Sequence, residues 1–150
     1  MTNSTWETQE ATIVMADIRG FTAMSESHTP QVVMETLNRY LSRMSEVAVA
    51  NGGTIDKFMG DAVMLHFGLP APAQDDARRA VTCAVQMQVA MGELNLENHH
   101  LGLPALYMGV GINTGNVIAG TLGSKLHSED TVIGNAVNVA ARIESFSLRG

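Results

Sequence analysis

Apolar and polar positions along the chain alternate with two different periods, and the change of period marks the elements. Ala11 to Ala16 is a short apolar run with β-branched residues, closed by Asp17 and Gly20, which predicts a buried strand ending in a turn. Phe21 to Ser27 follows as a short helix. Thr29 and Pro30 supply an N-cap and a first-turn proline, and Val33, Leu37, Leu41, Met44 and Ala48 then recur at helical spacing until Asn51-Gly52-Gly53. Thr54 to Met59 and Ala62 to Phe67 are β-type runs flanking Gly60-Asp61, a hairpin with a carboxylate at its tip.

Pro70 and Pro72 mark a connection. Ala80, Ala84, Met87, Met91 and Leu94 form the inner stripe of a second long helix, with Asp75 and Asp76 near its positive end. Asn95 to Pro104, including His99-His100, is expected to be loop. Leu106 to Ile112 alternates as a strand with one buried face, Asn113 to Gly115 is read as a turn, and Asn116 to Ala119 as a returning strand. After a polar loop from Gly123 to Asp130, Thr131 to Ile133 is a short strand and Ala136 to Glu144 a helix. This order, β-α-α-β-β-α-β-β-β-α, implies an α+β sandwich of ferredoxin-like type: an antiparallel or mixed sheet with helices packed on one face.

Composition narrows the functions open to such a domain. The length of 150 residues suits one domain, with residues 1–10, polar and aperiodic, expected to be a flexible leader or linker end and 11–150 the folded unit. A net charge of -6 disfavours binding to a nucleic acid polymer or an acidic membrane, so an anionic ligand must be met locally by metal ions or a few placed cations. No apolar run approaches the ~20 residues of a membrane span. Cys83 is the single cysteine, which rules out an internal disulfide and suits a reducing, cytoplasmic compartment. His66, His99, His100 and Cys83 form no zinc spacing and are read as structural or solvated.

Taken singly, Asp17 is as well explained as a helix N-cap and Asp61 as a turn residue. Taken together, a strand end and a hairpin tip bring two hard oxygen ligands to one edge if their strands are neighbours. That edge suits Mg²⁺ or Mn²⁺, with substrate phosphates and water completing the shell. Backbone N–H groups from Ile18 to Thr22 lie beside it and are candidates for phosphate oxygens. The Walker A pattern is absent from the sequence.

Four motifs in order resemble those of the class III nucleotidyl cyclases: Asp17 to Thr22, Lys57 to Val63, Gly111 to Gly115, and Thr131 to Glu144. The resemblance covers about residues 11–149. It implies two divalent metal ions, Mg²⁺ or Mn²⁺, held by Asp17, Asp61 and the carbonyl of Ile18, with Gly20, Phe21 and Thr22 beside the phosphates. It further implies Arg142 as the transition-state arginine, Asn138 as the residue positioning the ribose, and Lys57 with Thr131 as the adenine-reading pair. Thr131 rather than Asp130 is chosen by its distance to Asn138. Without the family, Arg142 next to Glu144 would be a solvated surface charge.

The implied activity is conversion of ATP to cyclic AMP and pyrophosphate, in a head-to-tail homodimer whose sites are shared across the interface. Guanylate cyclase is the within-family alternative, and a silent nucleotide-binding or dimerisation module the alternative outside it. Departures from the family pattern are Met15, Asp130 and Asn135. The chain also stops at Gly150, before the family's last strands and the triphosphate lysine they carry, so the domain is expected to lack them.

Overall fold

The β-branched run after Glu7 does form the central strand, but it is longer than the apolar stretch alone suggests. A computed structural model describes residues 7–147 and gives β1 as Thr8–Ile18. Thr8, Gln9 and Glu10, assigned above to the leader, are therefore in the sheet, paired with Ile118, Val117 and Asn116. Residues 1–6 of that leader lie outside the described residues. The chain continues through α1 (Phe21–Glu26), α2 (Pro30–Ala50), β2 (Thr54–Met59), β3 (Ala62–Phe67), α3 (Asp76–His100), β4 (Met108–Gly123), β5 (Ser128–Ile133) and α4 (Asn135–Phe146).

The five strands form one antiparallel sheet in the order β2-β3-β1-β4-β5. Alternation along β1 serves two cores. Val14, Ala16 and Ile18 pack with Tyr40 and Met44 of α2 and Met87 of α3. Ile13 and Met15 pack instead with Ala136 and Ala140 of α4. The fold is α+β as expected, whereas the expectation of helices on one face is corrected: α2 and α3 cover one face and α4 the other. Successive β1 residues are apolar on both sides, so both faces demand cover.

Two further corrections concern element ends. Asn113 to Gly115 is not a turn, because β4 runs unbroken through it. Gly115, which suggested the turn, and Gly111 before it are there for close packing. A Cβ on Gly115 would stand 2.9 Å from the Ala136 Cβ, and one on Gly111 would collide with the α4 backbone at Ala140 and Glu144. Asn113 Nδ2 donates to the Ala136 carbonyl at 3.1 Å and fixes the same helix. The second correction is that α3 continues through Asn95 to His100, since its polar residues serve the fold. Asn95 exchanges two 2.8 Å hydrogen bonds with the backbone of Leu106, and fully buried Asn98 accepts from Arg39 Nε at 3.0 Å.

Candidate active site

Register decides whether the two aspartates meet. Asp17, one residue from the end of β1, pairs with Ala62 of β3 on one side and Gly109 of β4 on the other. Asp61 is the residue before Ala62, at the β2–β3 hairpin tip, where Gly60 takes the left-handed conformation (φ 63°) that a tight turn needs. The strands are neighbours, so the condition set by the sequence is met. Burial raises the Asp61 pKa above the ordinary carboxylate value and the charge of Asp17 raises it further; its own N–H and that of Ile18 oppose the shift.

Asp17 is engaged on its other side by residues that sequence reasoning passed over. Arg19 Nη1 lies 3.5 Å from Asp17 Oδ1 and 2.9 Å from Glu144 Oε1. Arg19 Nη2 also donates to the Glu144 carbonyl and, at 2.5 Å, to Ser147 Oγ. Glu144 is buried, and its pKa is pushed up to about 7, first by burial and then by Asp17 beside it, with Arg19 pulling the other way. The signal was present in the sequence: Ala136, Ala140 and Glu144 recur every four residues on the buried stripe of α4.

Among the described residues no three His, Cys, Asp or Glu side chains converge as a metal cluster. The donor set at the Asp17–Asp61 edge nevertheless fits a hard cation. Asp17 Oδ1 is buried and accepts no hydrogen bond, and the two carboxylates repel one another until a positive charge separates them. Substrate oxygens would have to supply the rest of the shell. Of the nearby N–H groups, that of Arg19 already donates to the Tyr107 carbonyl at 2.7 Å. Those of Phe21 and Thr22, in the first turn of α1, have no intrahelical acceptor.

The predicted base-reading residues come together from opposite ends of the sheet. β2 and β5 are its two edge strands, yet the sheet coils enough for Lys57 Nζ to donate to Thr131 Oγ1 at 2.5 Å. Thr131 is buried; Asp130 instead accepts from Thr121 Oγ1 at 2.9 Å on the exposed side. Lys57 does not reach this position by simple alternation. A β-bulge leaves Asp56 without a partner, so that Ile55 pairs with Leu65 and Lys57 with Met64. Ile55 and Leu65 belong to the α2–α3 core and Met64 to the α4 core, so the bulge turns Lys57 to the face its sequence parity denies it.

Asn138 and Arg142 are not brought to the aspartates. Both are exposed on the outer face of α4, one turn apart, while its inner face is buried. Among the described residues Arg142 forms no ion pair; it lines a shallow surface cleft with Val139, Ile143, Phe146 and Ser147.

Comparison with known proteins gives this geometry a setting. The sequence model described as "Adenylate and Guanylate cyclase catalytic domain" matches residues 4–150. The adenylate cyclase of Anabaena cylindrica is 40% identical over 146 residues, 93% of this chain and 28% of that protein. Adenylate cyclase 1 of Rhizobium meliloti (strain 1021) is 34% identical over 139 residues, 93% of this chain and 21% of that protein. This chain thus spans about a quarter of those relatives. Among solved structures, the guanylyl cyclase Cya2 superposes with a TM-score of 0.91 at 45% identity, covering 96% of this chain and 73% of that one. The adenylyl cyclase CyaB from P. aeruginosa superposes with a TM-score of 0.90 at 40% identity, covering 95% and 76%.

Proposed function

This chain belongs to the adenylate and guanylate cyclase catalytic-domain family, and from that membership we propose that it converts ATP to 3′,5′-cyclic AMP and pyrophosphate. The chief support for ATP is the 2.5 Å pairing of Lys57 with Thr131. An ammonium has donors only, and adenine offers it a ring acceptor; the Thr131 hydroxyl keeps a lone pair for the exocyclic amine. Guanine presents a ring N–H at the same edge, which lysine cannot accept. The relatives named adenylate cyclase agree with this choice.

Asp17 and Asp61, with the Ile18 carbonyl at the same strand end, are the residues that would hold Mg²⁺ or Mn²⁺. Bound there, the two ions would neutralise the triphosphate and ease loss of the ribose 3′-hydroxyl proton. The chain's own contribution is placement. Phe21 and Thr22 offer first-turn N–H groups to phosphate oxygens, and Gly20 leaves room for their approach, since nothing stands within 4 Å of a Cβ placed there. Fixing the 3′-hydroxyl in line with the α-phosphorus makes the attack intramolecular, an advantage of about 7–11 kcal/mol in well-oriented systems.

With Lys57 and Thr131 of the same copy reading the base, Asn138 and Arg142 complete the reaction from a second copy. They face solvent from α4 beside the exposed apolar side chains of Ile143 and Phe146. A head-to-tail homodimer would carry Asn138 to the ribose and the Arg142 fork to the oxygens that gain charge as the bond to pyrophosphate breaks. No helix among the described residues is long and apolar enough to cross a membrane. With buried, unpaired Cys83, this fits a domain working on the cytoplasmic side, where ATP is abundant.

Incubation with Mn²⁺ and either ATP or GTP, followed by identification of the product, tests the proposal. Cyclic AMP from ATP is expected. Cyclic GMP alone would shift the reading to the activity named for the Cya2 neighbour, and tight ATP binding with no cyclic product would leave only a silent nucleotide-binding module.

A further inference from the structure

We propose that Asp56 is a positioning residue that holds the Lys57 ammonium where it meets the nucleotide base. The inference rests on the base-reading part of the function proposed above. In a regular strand Asp56 and Lys57 would project to opposite faces. The bulge between Ile55 and Lys57 cancels that alternation, and Lys57 Nζ comes to lie 3.5 Å from Asp56 Oδ2. The Asp56 side chain is only 6% exposed, and its Oδ2 accepts no hydrogen bond among the described residues. A buried carboxylate without a donor is costly unless a charge beside it uses it.

Two groups lie close enough to be that charge. His66 Nε2 is 3.8 Å from Asp56 Oδ1, but His66 is itself buried, and burial lowers its pKa toward the neutral imidazole. Lys57 therefore remains as the cation that answers Asp56.

Lysine needs such a partner because its charge sits on a flexible four-carbon stem. Exposed Glu129 competes for it, with Oε1 3.8 Å from Nζ. Asp56, His66, Leu69, Asp130 and Thr131 line one cleft of about 450 Å³ between the two sheet edges. A nucleotide base whose exocyclic amine takes the remaining Thr131 lone pair weakens that oxygen's hold on Nζ. The Asp56 carboxylate then keeps the ammonium from following Glu129 into solvent.

Calorimetric binding by the full chain distinguishes positioning from a merely structural role. The probes are an ATP analogue with a methylene bridge between the α and β phosphorus atoms, and inorganic tripolyphosphate, which has no base. Asp56→Asn should weaken the analogue about tenfold, as expected for loss of one charge-assisted contact, and leave tripolyphosphate unchanged. On a Lys57→Met background the same substitution should add nothing, because its effect passes through the lysine. Equal weakening of both probes, or an undiminished effect without the lysine, overturns the inference. Should Asp56→Asn lose its fold by circular dichroism, Asp56→Glu carries the same cycle. Displacing the carboxylate by one methylene should give a smaller loss confined to the analogue, and a loss shared with tripolyphosphate overturns the inference. Coupled Asp56–Lys57 binding in a chain that makes no cyclic product would remove the cyclase reading and leave this one standing. Failure to bind the analogue at all would overturn both.

Discussion

Helix α4 has two polar surfaces of opposite circumstance. On its inner face Glu144 is buried against the sheet and tied through Arg19 to Asp17. On its outer face Asn138 and Arg142 stand in solvent, and Arg142 has no carboxylate partner among the described residues. The inner set has carboxylates short of positive charge, and the outer set has a positive charge with nothing to bind. One protomer cannot satisfy both, because a helix separates them. The proposed head-to-tail pair of protomers would, with a triphosphate and its metals between them.

The sharpest way to break that contrast is to empty the inner surface. Asp17→Ala removes a proposed ligand, and a metal at that position would contribute several kcal/mol to charge stabilisation, so product formation should fall by about a thousandfold or more. Steady-state turnover with Mn²⁺ checks it, and unchanged turnover would end the metal assignment. Arg142→Ala empties the outer surface. If its guanidinium acts only as charge develops, kcat should drop on the order of 10²–10³-fold while ATP binding changes little. A rise in KM at constant kcat would make Arg142 an ordinary binding residue.

Arg19→Met addresses the link between α4 and the sheet. It leaves Asp17 and Glu144 facing each other without their cation, in a site that is only partly buried, so the loss should be about 2 kcal/mol, below that of a fully buried pair. A urea melt reads it, best at pH 8, where Glu144 is more fully ionised.

The smallest effect concerns the far end of the sheet. Burial lowers the His66 pKa, partly opposed by Asp56. The unfolded chain then takes up the proton first as pH falls. His66's contribution is fully present above the ordinary imidazole value of about 6.5 and is lost as pH falls toward and through the lowered value of the folded state. The melting temperature should fall between pH 7 and pH 5, and fall less in His66→Gln.

Much of this molecule was legible before its structure, and the gaps have physical causes. Helical and strand periods gave α2, the β2–β3 hairpin and β1, because these segments bury one or both faces over several turns or pleats. Asn113 to Gly115 read as a turn, since a sequence cannot say whether a glycine bends a chain or admits a helix. The polar end of α3 read as loop because Asn95 and Asn98 are used inside the fold. The aspartates were visible as residues but not as a pair until the β1–β3 register joined them. Asp56 and the bulge were invisible, because strict alternation sends Lys57 to the wrong face. Glu144 was passed over as the neighbour of a charge, although its four-residue spacing from Ala140 marked it as buried.

Mixing two defective variants tests the shared site most directly. Asp17→Ala lacks an inner surface and Arg142→Ala an outer one, and each should be nearly inactive alone. Equal mixing should make about half of the dimers mixed, each with one intact site, and so recover about a quarter of the unaltered activity. No recovery from a mixture shown by ultracentrifugation to contain dimers would contradict a site built from two protomers.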